Sequence, residues 1–226
     1  MVKRNQVTVG DVAKILDELA RPSLAMSWDN VGFLVGHADK PVKVILTALD
    51  FSAAVLEQAI QLKADLIVTH HPVIFKSIHS LTSTDWKNAL LLEAVEHGIA
   101  IYSAHTNLDI ALGGVNDVLA EYLDLKNVEG LSGEEGALDG LGRIGVLEKA
   151  MELNRFAAKV KHDLGLEYVV TASAGRKVKR VAVCGGSGMD FLDQVVAAGA
   201  DTYVTGDVKY HQAQDAIGKG INIIDA

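Results

Sequence analysis

Residues 42–71 read VKVILTALDFSAAVLEQAIQLKADLIVTHH, and residues 178–207 read VKRVAVCGGSGMDFLDQVVAAGADTYVTGD. The two stretches align without a gap at an offset of 136 residues, and eight of the thirty pairs are identical. Each contains an apolar run, a helical stretch and a second apolar run that ends in polar residues. Two unrelated strand–helix–strand units could share this pattern by chance, but the unbroken alignment favours an internal duplication.

The repeat extends further if one loop differs in length, because residues 98–104 then lie opposite residues 220–226. Predicted helices cover 8–20, 53–62, 86–97 and 151–164, and predicted strands cover 42–48, 66–69, 99–103, 168–171 and 181–184. This alternation predicts an α/β protein of two similar three-layer lobes related by internal duplication, with mostly parallel sheets.

The predicted lobes are residues 1–126 and 127–226. The stretch 127–142 is rich in glycine and acidic residues and is the natural joint between them. Since Ala226 aligns with Ala104, we expect the second lobe to stop where its own ligand loop would begin.

Composition narrows the class of protein. A hydrophobic content of 49% and a charged content of 22% are typical of a globular chain, and the formal net charge of -8 argues against nucleic acid as a partner. No apolar run approaches the roughly 18–20 residues that span a bilayer, and residues 1–10 lack the apolar core of a signal peptide. We therefore expect a cytoplasmic protein with no membrane partner. The single cysteine, Cys184, excludes internal disulfide bonds and cysteine-rich zinc sites.

Two adjacent histidines, His70 and His71, follow the strand predicted over 66–69. Neighbours on a regular strand point to opposite faces, so both rings can approach one volume only where the strand ends. The next predicted strand is followed by 105–109, which supplies Asp109. The histidine pair could be incidental surface residues, but strand-end placement in two consecutive units predicts a divalent-metal site of His70, His71 and Asp109, suited to two ions.

His105 and His211 are the candidate catalytic residues. His105 lies beside Asp109, where it could act in the site or hydrogen-bond a carboxylate next to it. His211 follows the second repeat and could transfer protons. The remaining histidines are not candidate site residues. They are His37, His79, His97 and His162.

Two further features have open interpretations. The basic residues Arg176, Lys177, Lys179 and Arg180 could hold a small phosphate, but such short runs usually cover surface. The glycine-rich turn at 185–188 could bind an anion through backbone N–H groups or could be a tight structural turn.

The sequence resembles the type 2 GTP cyclohydrolase homologues, also called NGG-interacting-factor-3-like proteins, over nearly the whole chain. The matching segments are WDNVG at 28–32, ADLIVTHHP at 64–72 with Phe75 and Lys76, YSAHTNLD at 102–109, GGVND at 113–117, VCGGSG at 183–188 and TGDVKYH at 205–211.

The resemblance implies a two-lobed protein with a dinuclear metal site, assembled into a toroidal homohexamer. His70, His71 and Asp109 match three of the family's five ligands. The other two are a His and a Glu in a Gly-His-x-x-x-Glu segment that would follow Ala226. The ligand types suit two divalent ions, zinc, manganese, iron or nickel.

The function expected from these residues is metal-dependent hydrolysis of a nucleotide-like small molecule. The resemblance implies ring opening of GTP. A phosphoesterase, with Lys76, Lys209 and the turn at 185–188 as phosphate contacts, would use the same ions. A non-catalytic metal-binding or regulatory interaction protein is the alternative from another class.

Overall fold

The computed structural model describes residues 6–131 and 140–226, and the chain divides into two compact units, Met1–Leu108 and Asp109–Ala226. The predicted boundary at residues 126 and 127 therefore falls inside the second unit. The glycine content of 127–142 indicated a joint, but residues 126–130 at its start form a strand that pairs in the antiparallel direction with residues 143–146 just after it. Residues 132–139 of the predicted joint lie outside the described residues.

The first unit is built on a four-stranded sheet with the order β1-β4-β3-β2. Strands β2, β3 and β4 are parallel, and β1 pairs with β4 in the antiparallel direction. Its elements are α1 (Val9–Leu19), β1 (Gly32–Val35), β2 (Ile45–Ala48), α2 (Ala53–Leu62), β3 (Leu66–Thr69), α3 (Trp86–Glu96), β4 (Ala100–Ser103) and the start of α4 (Thr106–Ile110).

The second unit contains a six-stranded sheet with the order β5-β6-β8-β9-β10-β7. Its parallel core is β8, β9 and β10, and the outer strands are antiparallel to their neighbours. The elements are α5 (Val115–Tyr122), β5 (Lys126–Gly130), β6 (Arg143–Met151), α6 (Leu153–Asp163), β7 (Val170–Ala172), β8 (Val178–Val183), α7 (Leu192–Ala197), β9 (Thr202–Thr205), α8 (Tyr210–Gly218) and β10 (Asn222–Asp225).

Short polar side chains fix where the helices of the first unit begin. Thr8 and Asp11 form a reciprocal capping box at α1, and Ser52 accepts a hydrogen bond from the Val55 N–H at α2. Asp85 accepts hydrogen bonds from two N–H groups in the first turn of α3. These caps satisfy backbone donors that a helix start otherwise leaves unpaired.

Helices cover both faces of each sheet, as the three-layer prediction required. In the first unit, Ile67 and Ile101 pack with α2 and α3, whereas Leu66 and Tyr102 pack with α1 on the opposite face. The second sheet is likewise covered by α5 and α6 on one face and by α7 and α8 on the other. Burial on both faces explains why these strands read as continuous apolar runs. Across the described residues, no helix is both long and apolar enough to cross a bilayer.

The pairing of the strands is consistent with the internal duplication. Every pairing in the parallel core of the first sheet except Ala48–Thr69 recurs at the aligned positions of the second. The recurring pairs are Ile45–Leu66 with Val181–Thr202, Leu66–Ala100 with Thr202–Asn222, and Thr69–Ser103 with Thr205–Asp225.

Candidate metal centre

The adjacent histidines lie directly after β3, in the middle of the first sheet. The His70 N–H donates to the Ala48 carbonyl at 3.2 Å, and the His71 N–H donates to the Leu49 carbonyl at 3.0 Å. The Thr69 hydroxyl donates to the His71 carbonyl at 2.9 Å, which turns the chain at the end of the strand. The two rings consequently become neighbours, with centroids 5.2 Å apart, instead of pointing to opposite faces.

His105 joins this pair from the end of the next strand, β4. Its ring centroid lies 5.2 Å from that of His70 and 5.6 Å from that of His71. One ring nitrogen from each of the three histidines lies within 4.8 Å of the other two. Among the described residues, this is the group of three or more potential metal ligands that the fold brings together, and we call it the histidine cluster.

Each ring of the histidine cluster has a defined oxygen partner at Nδ1. His70 Nδ1 lies 2.8 Å from the Ala104 carbonyl oxygen, His71 Nδ1 lies 2.7 Å from Asp50 Oδ1, and His105 Nδ1 lies 3.0 Å from Asp29 Oδ1. Carbonyl and carboxylate oxygens accept hydrogen bonds, so each neutral ring carries its proton on Nδ1 and its lone pair on Nε2. Metal-binding histidines in proteins are oriented in this way. The donor set therefore fits a divalent ion that accepts imidazole nitrogen.

Asp29 is the most deeply buried member of this arrangement, with no exposed side-chain surface. Its carboxylate accepts hydrogen bonds from His105 Nδ1, from the Thr106 N–H at 3.1 Å and from the Thr106 hydroxyl. Burial raises the pKa of Asp29, but the hydrogen bonds from Thr106 and His105 lower it by more, so the pKa lies below its usual value. A charged Asp29 thus holds the His105 ring and the start of α4 together.

Burial also favours the neutral form of His70. It lowers the pKa of that imidazole, and the nearby His105 and His71 rings lower it further, against the raising effect of the Ala104 carbonyl. His70 is half-buried, as is His105, while His71 is exposed. Neutral imidazole is the form that binds metal ions.

The other residues predicted for the site belong to the second unit. Asp109 is buried, and its backbone carbonyl accepts a hydrogen bond from Asn116 Nδ2 at 3.1 Å. His211 is exposed in the first turn of α8, with its Nδ1 3.3 Å from Gln214 Oε1. A ligand role for Asp109 and a catalytic role for His211 stay predictions, as does a catalytic role for His105.

The structure favours structural roles for the two features left open by the sequence. Arg176, Lys179 and Arg180 donate hydrogen bonds to backbone carbonyls, and Lys177 pairs with Glu152. In the turn at 185–188, the Gly188 N–H donates to the Thr205 hydroxyl, and a Cβ at Gly188 would lie 2.4 Å from the Tyr203 hydroxyl oxygen. Close packing, rather than anion binding, explains that glycine.

Sequence reasoning did not assign roles to Asp29 and Asp50. Asp29 is 76 residues from its partner His105, and no local pattern connects them. The sequence pointed to Asp29 only as part of the WDNVG segment at 28–32. Asp50 follows β2, so the ends of three adjacent strands, β2, β3 and β4, supply the three histidines and two of their partners, Asp50 and the Ala104 carbonyl, whereas Asp29 precedes β1.

Fold and site together define a duplicated α/β protein whose first sheet presents three oriented histidines at the carboxyl ends of its strands. The family model described as Duf34/NIF3 (NGG1p interacting factor 3) matches residues 7–226, and the chain belongs to this family. The resemblance found in the motifs is thereby confirmed.

Individual relatives extend over nearly the whole chain. A GTP cyclohydrolase 1 type 2 homolog from Nostoc is 37% identical over 225 residues, covering 96% of this chain and 84% of its own, and one from Clostridium perfringens is 34% identical over 221 residues with the same coverage. A hypothetical protein from Staphylococcus aureus, known from its crystal structure, superimposes with a TM-score of 0.90 at 33% identity, covering 98% of this chain and 86% of its own. A Bacillus cereus protein related to NIF3 gives a TM-score of 0.88 at 28% identity, with coverage of 96% and 87%.

Proposed function

We propose that the histidine cluster binds divalent metal through the Nε2 atoms of His70, His71 and His105, and that the bound metal serves hydrolysis of a nucleotide-like small molecule. The observation that carries the proposal is the orientation of the three rings. Each has an oxygen acceptor at Nδ1, and one nitrogen from each lies within 4.8 Å of the others. Surface histidines without a shared function have no reason to share this orientation.

Hydrolysis is the reaction that such a centre supports best. A divalent ion held there would act as a Lewis acid and would lower the pKa of a nearby water molecule. The chain's own contribution is to orient the imidazoles, through Asp29 on His105 and the Ala104 carbonyl on His70, while burial favours the neutral form of His70. The relatives named GTP cyclohydrolase 1 type 2 homolog support a nucleotide as the substrate class. Asp109 as a further ligand and His211 as a proton-transfer group complete the proposal.

Assembly is part of the same proposal, because the family resemblance implies a homohexamer. Several large apolar side chains are exposed in each unit, which supports contacts between copies of the chain. Examples are Leu19 and Leu112, at 65% and 66% exposed. Light scattering of the purified protein tests the assembly, and a monodisperse monomer would contradict it.

The metal proposal is tested by binding measurements on cluster variants. We expect His70→Ala, His71→Ala and His105→Ala each to weaken Zn²⁺ binding by more than about 100-fold, because a lost ligand costs more than the 10- to 100-fold typical of its hydrogen-bonding partner. Isothermal titration calorimetry and elemental analysis give affinity and stoichiometry. His162→Ala is the matched control, because His162 is 89% exposed and lies outside the cluster. Full metal occupancy in the His70→Ala/His71→Ala double variant would contradict the proposal.

The hydrolysis proposal is tested separately, on protein loaded with Mn²⁺ or Zn²⁺. GTP and bis(p-nitrophenyl) phosphate serve as substrates for ring-opening and phosphoester hydrolysis. We expect turnover of at least one of them by the parent protein and by His162→Ala, and none by His105→Ala. Tight metal binding without turnover of either compound would favour the non-catalytic alternative.

A further inference from the structure

Two large aromatic side chains lie exposed beside the histidine cluster. Trp28 is 54% exposed and Phe75 is 48% exposed, and their ring centroids are 5.9 Å apart. The Trp28 ring also lies against His105, with centroids 6.1 Å apart and the ring planes at 69°. We call Trp28 and Phe75 the aromatic wall. Its rings are half in solvent, although a purely structural role would gain from burying them.

The backbone that carries the aromatic wall is fixed on both sides of Trp28. On one side, the Met26 N–H donates to the Thr106 hydroxyl at 3.0 Å, and on the other, the buried Asp29 accepts from Thr106. Asn30 Nδ2 donates to the Ile74 carbonyl, which ties the residue before Phe75 to the same segment. The wall is therefore held in place before any ligand arrives, which reduces the entropy lost on binding.

We propose that the aromatic wall stacks a flat heteroaromatic ring of the nucleobase type and holds it next to the histidine cluster. Aromatic side chains bind nucleobases through their faces, largely independently of base identity. The edge-to-face contact of Trp28 with His105 places such a ring beside the proposed metal ligands. The inference deepens the proposed function, on which it rests for the chemistry at the cluster. Ring binding itself requires no metal.

The competing explanation is that Trp28 only braces the loop that follows His71. Residues 72–85 contain no regular secondary structure, and Trp28 contacts this loop at Phe75. A brace would affect stability alone, whereas a stacking surface would affect the affinity for ligands that contain a ring. The two roles therefore predict different measurements.

Trp28 provides its own spectroscopic signal. The chain has two tryptophans, and Trp86→Phe leaves Trp28 as the only one. Trp86 is 66% exposed at the start of α3, so its replacement disturbs no core packing. In this background we expect GMP to quench Trp28 fluorescence excited at 295 nm in metal-free protein, and we expect ribose 5-phosphate to leave it unchanged. The two ligands share sugar and phosphate and differ in the base.

Calorimetry on variants gives the matching affinities. Trp28→Leu keeps an apolar side chain but removes the stacking face, and we expect it to weaken GMP binding by about 10-fold or more. Trp28→Phe should retain most of the affinity, and Trp86→Leu, the matched control, should retain all of it. Equal binding of GMP and ribose 5-phosphate, no quenching by GMP, or a Trp28→Leu variant that melts earlier with unchanged GMP affinity would each overturn the inference.

Failure here is distinguishable from failure of the proposed function. Zn²⁺ titration of Trp28→Leu reports the metal site alone, and we expect its affinity to match that of the parent. If GMP does not stack but Zn²⁺ still binds, the aromatic wall is a brace and the metal proposal stands. If His70→Ala/His71→Ala retains its metal while GMP quenches Trp28, the stacking inference stands and the metal proposal falls.

Discussion

The two units share one scaffold but end their middle strands differently. In the first, β3 ends at Thr69 and is followed by His70 and His71, and in the second, β9 ends at Thr205 and is followed by Gly206 and Asp207. One backbone hydrogen bond recurs at both ends, because the Ala104 N–H donates to the Thr69 carbonyl at 2.9 Å and the Ala226 N–H donates to the Thr205 carbonyl at 2.9 Å. The residues that follow differ in side chain and in backbone, because the His70 N–H donates to the Ala48 carbonyl, the Gly206 N–H donates to the Gly186 carbonyl, and Asp207 has a φ of 54°. The scaffold therefore does not define the site, and the residues after the strands do.

The partners of the histidines differ in the same way. Asp50, which holds His71, aligns with Gly186, which has no side chain. Asp29, three residues before β1, corresponds to Glu167, three residues before β7. Glu167 is exposed, whereas the Asp29 carboxylate is fully buried. A cluster of oriented histidines thus needs the strand-end residues and their carboxylates together.

The largest expected effect comes from giving the first unit the strand end of the second. The double variant His70→Gly/His71→Asp gives the two positions after β3 the residue types of Gly206 and Asp207. We expect Zn²⁺ affinity to fall by well over about 100-fold, because two imidazole ligands disappear at once. The far-UV circular dichroism spectrum should stay unchanged, since both side chains lie outside the main core. Calorimetry and elemental analysis measure the metal.

The reverse graft tests whether histidines alone suffice. Adding Gly206→His and Asp207→His to that double variant should not restore binding, since the position aligned with Asp50 is Gly186. Space for a side chain at position 206 is also limited, because a Cβ at Gly206 would lie 3.2 Å from the Gly186 carbonyl oxygen. Tight Zn²⁺ binding by the graft would show that the scaffold matters more than the orienting carboxylates.

A smaller effect is expected from the buried carboxylate that orients His105. Asp29→Asn keeps the shape but replaces one acceptor oxygen with a donor, so the His105 ring loses its fixed orientation. We expect Zn²⁺ affinity to fall by about 10- to 100-fold, as for other residues that orient metal ligands. Glu167→Gln, at the corresponding place in the second unit, is the control and should change nothing. Unchanged affinity in Asp29→Asn would mean that His105 does not bind the metal.

The duplicated core was predictable from sequence because both halves keep the same apolar runs at one offset. That alignment predicted the strands at 66–69 and 181–184, and the structure places them at Leu66–Thr69 and Val178–Val183. The antiparallel hairpin of β5 and β6 was missed, since the glycines between the two strands indicated a joint between lobes. A glycine-rich segment is compatible with either a linker or a hairpin, and only strand pairing distinguishes them.

The site was predictable only in part. His70 and His71 could be predicted as metal ligands from their position at the end of a strand, because that position depends on local sequence. Whether His105 joins them depends on the pairing of β3 with β4 and on the distant Asp29. Such long-range contacts leave no periodic signal in a single sequence. The role of Asp109 in the second unit stays a prediction for the same reason.

A still smaller effect is expected for an aspartate that both repeats retain. Asp65 accepts hydrogen bonds from the N–H groups of Lys43 and Val44, and the aligned Asp201 accepts from those of Lys179 and Arg180. We expect Asp201→Asn to lower the free energy of unfolding by roughly 1–2 kcal/mol, because it leaves a partly buried N–H without an acceptor. Asp65→Asn should cost less, since the Asp65 side chain is 20% exposed.

The two units can be followed separately during urea unfolding. Both tryptophans lie in the first unit, so tryptophan fluorescence follows the unfolding of that unit and measures the effect of Asp65→Asn. Circular dichroism also follows the unfolding of the second unit. Burial raises the pKa of Asp65, but the backbone hydrogen bonds lower it by more, so the folded pKa lies below the unfolded one. The stabilisation is then present above about pH 4 and disappears as the pH falls through the folded pKa. An effect of Asp65→Asn that grows as the pH falls below about 4 would contradict this assignment.

The smallest expected effect concerns the turn that ends the first helix of each repeat. Lys63 ends α2 with φ of 54°, and the aligned Gly199 has φ of 71° after α7. The same hydrogen bonds close both turns, from the Ala64 N–H to the Ala59 carbonyl and from the Ala200 N–H to the Val195 carbonyl. The two repeats thus place a lysine and a glycine in the same left-handed backbone conformation, which glycine adopts without a steric penalty.

Exchanging the two residues should therefore have opposite effects. Lys63→Gly should raise the unfolding free energy of the first unit by about 1 kcal/mol, and Gly199→Lys should lower that of the second by a similar amount, because the left-handed conformation costs a side-chain-bearing residue about that much. No heavy atom lies within 4 Å of a Cβ built on Gly199, so its penalty is conformational rather than steric crowding. Lys63→Ala, which keeps the Cβ, is the control and should leave urea unfolding, followed by fluorescence, nearly unchanged. If Lys63→Ala stabilises as much as Lys63→Gly, the long lysine side chain, and not the backbone conformation, is what distinguishes the two turns.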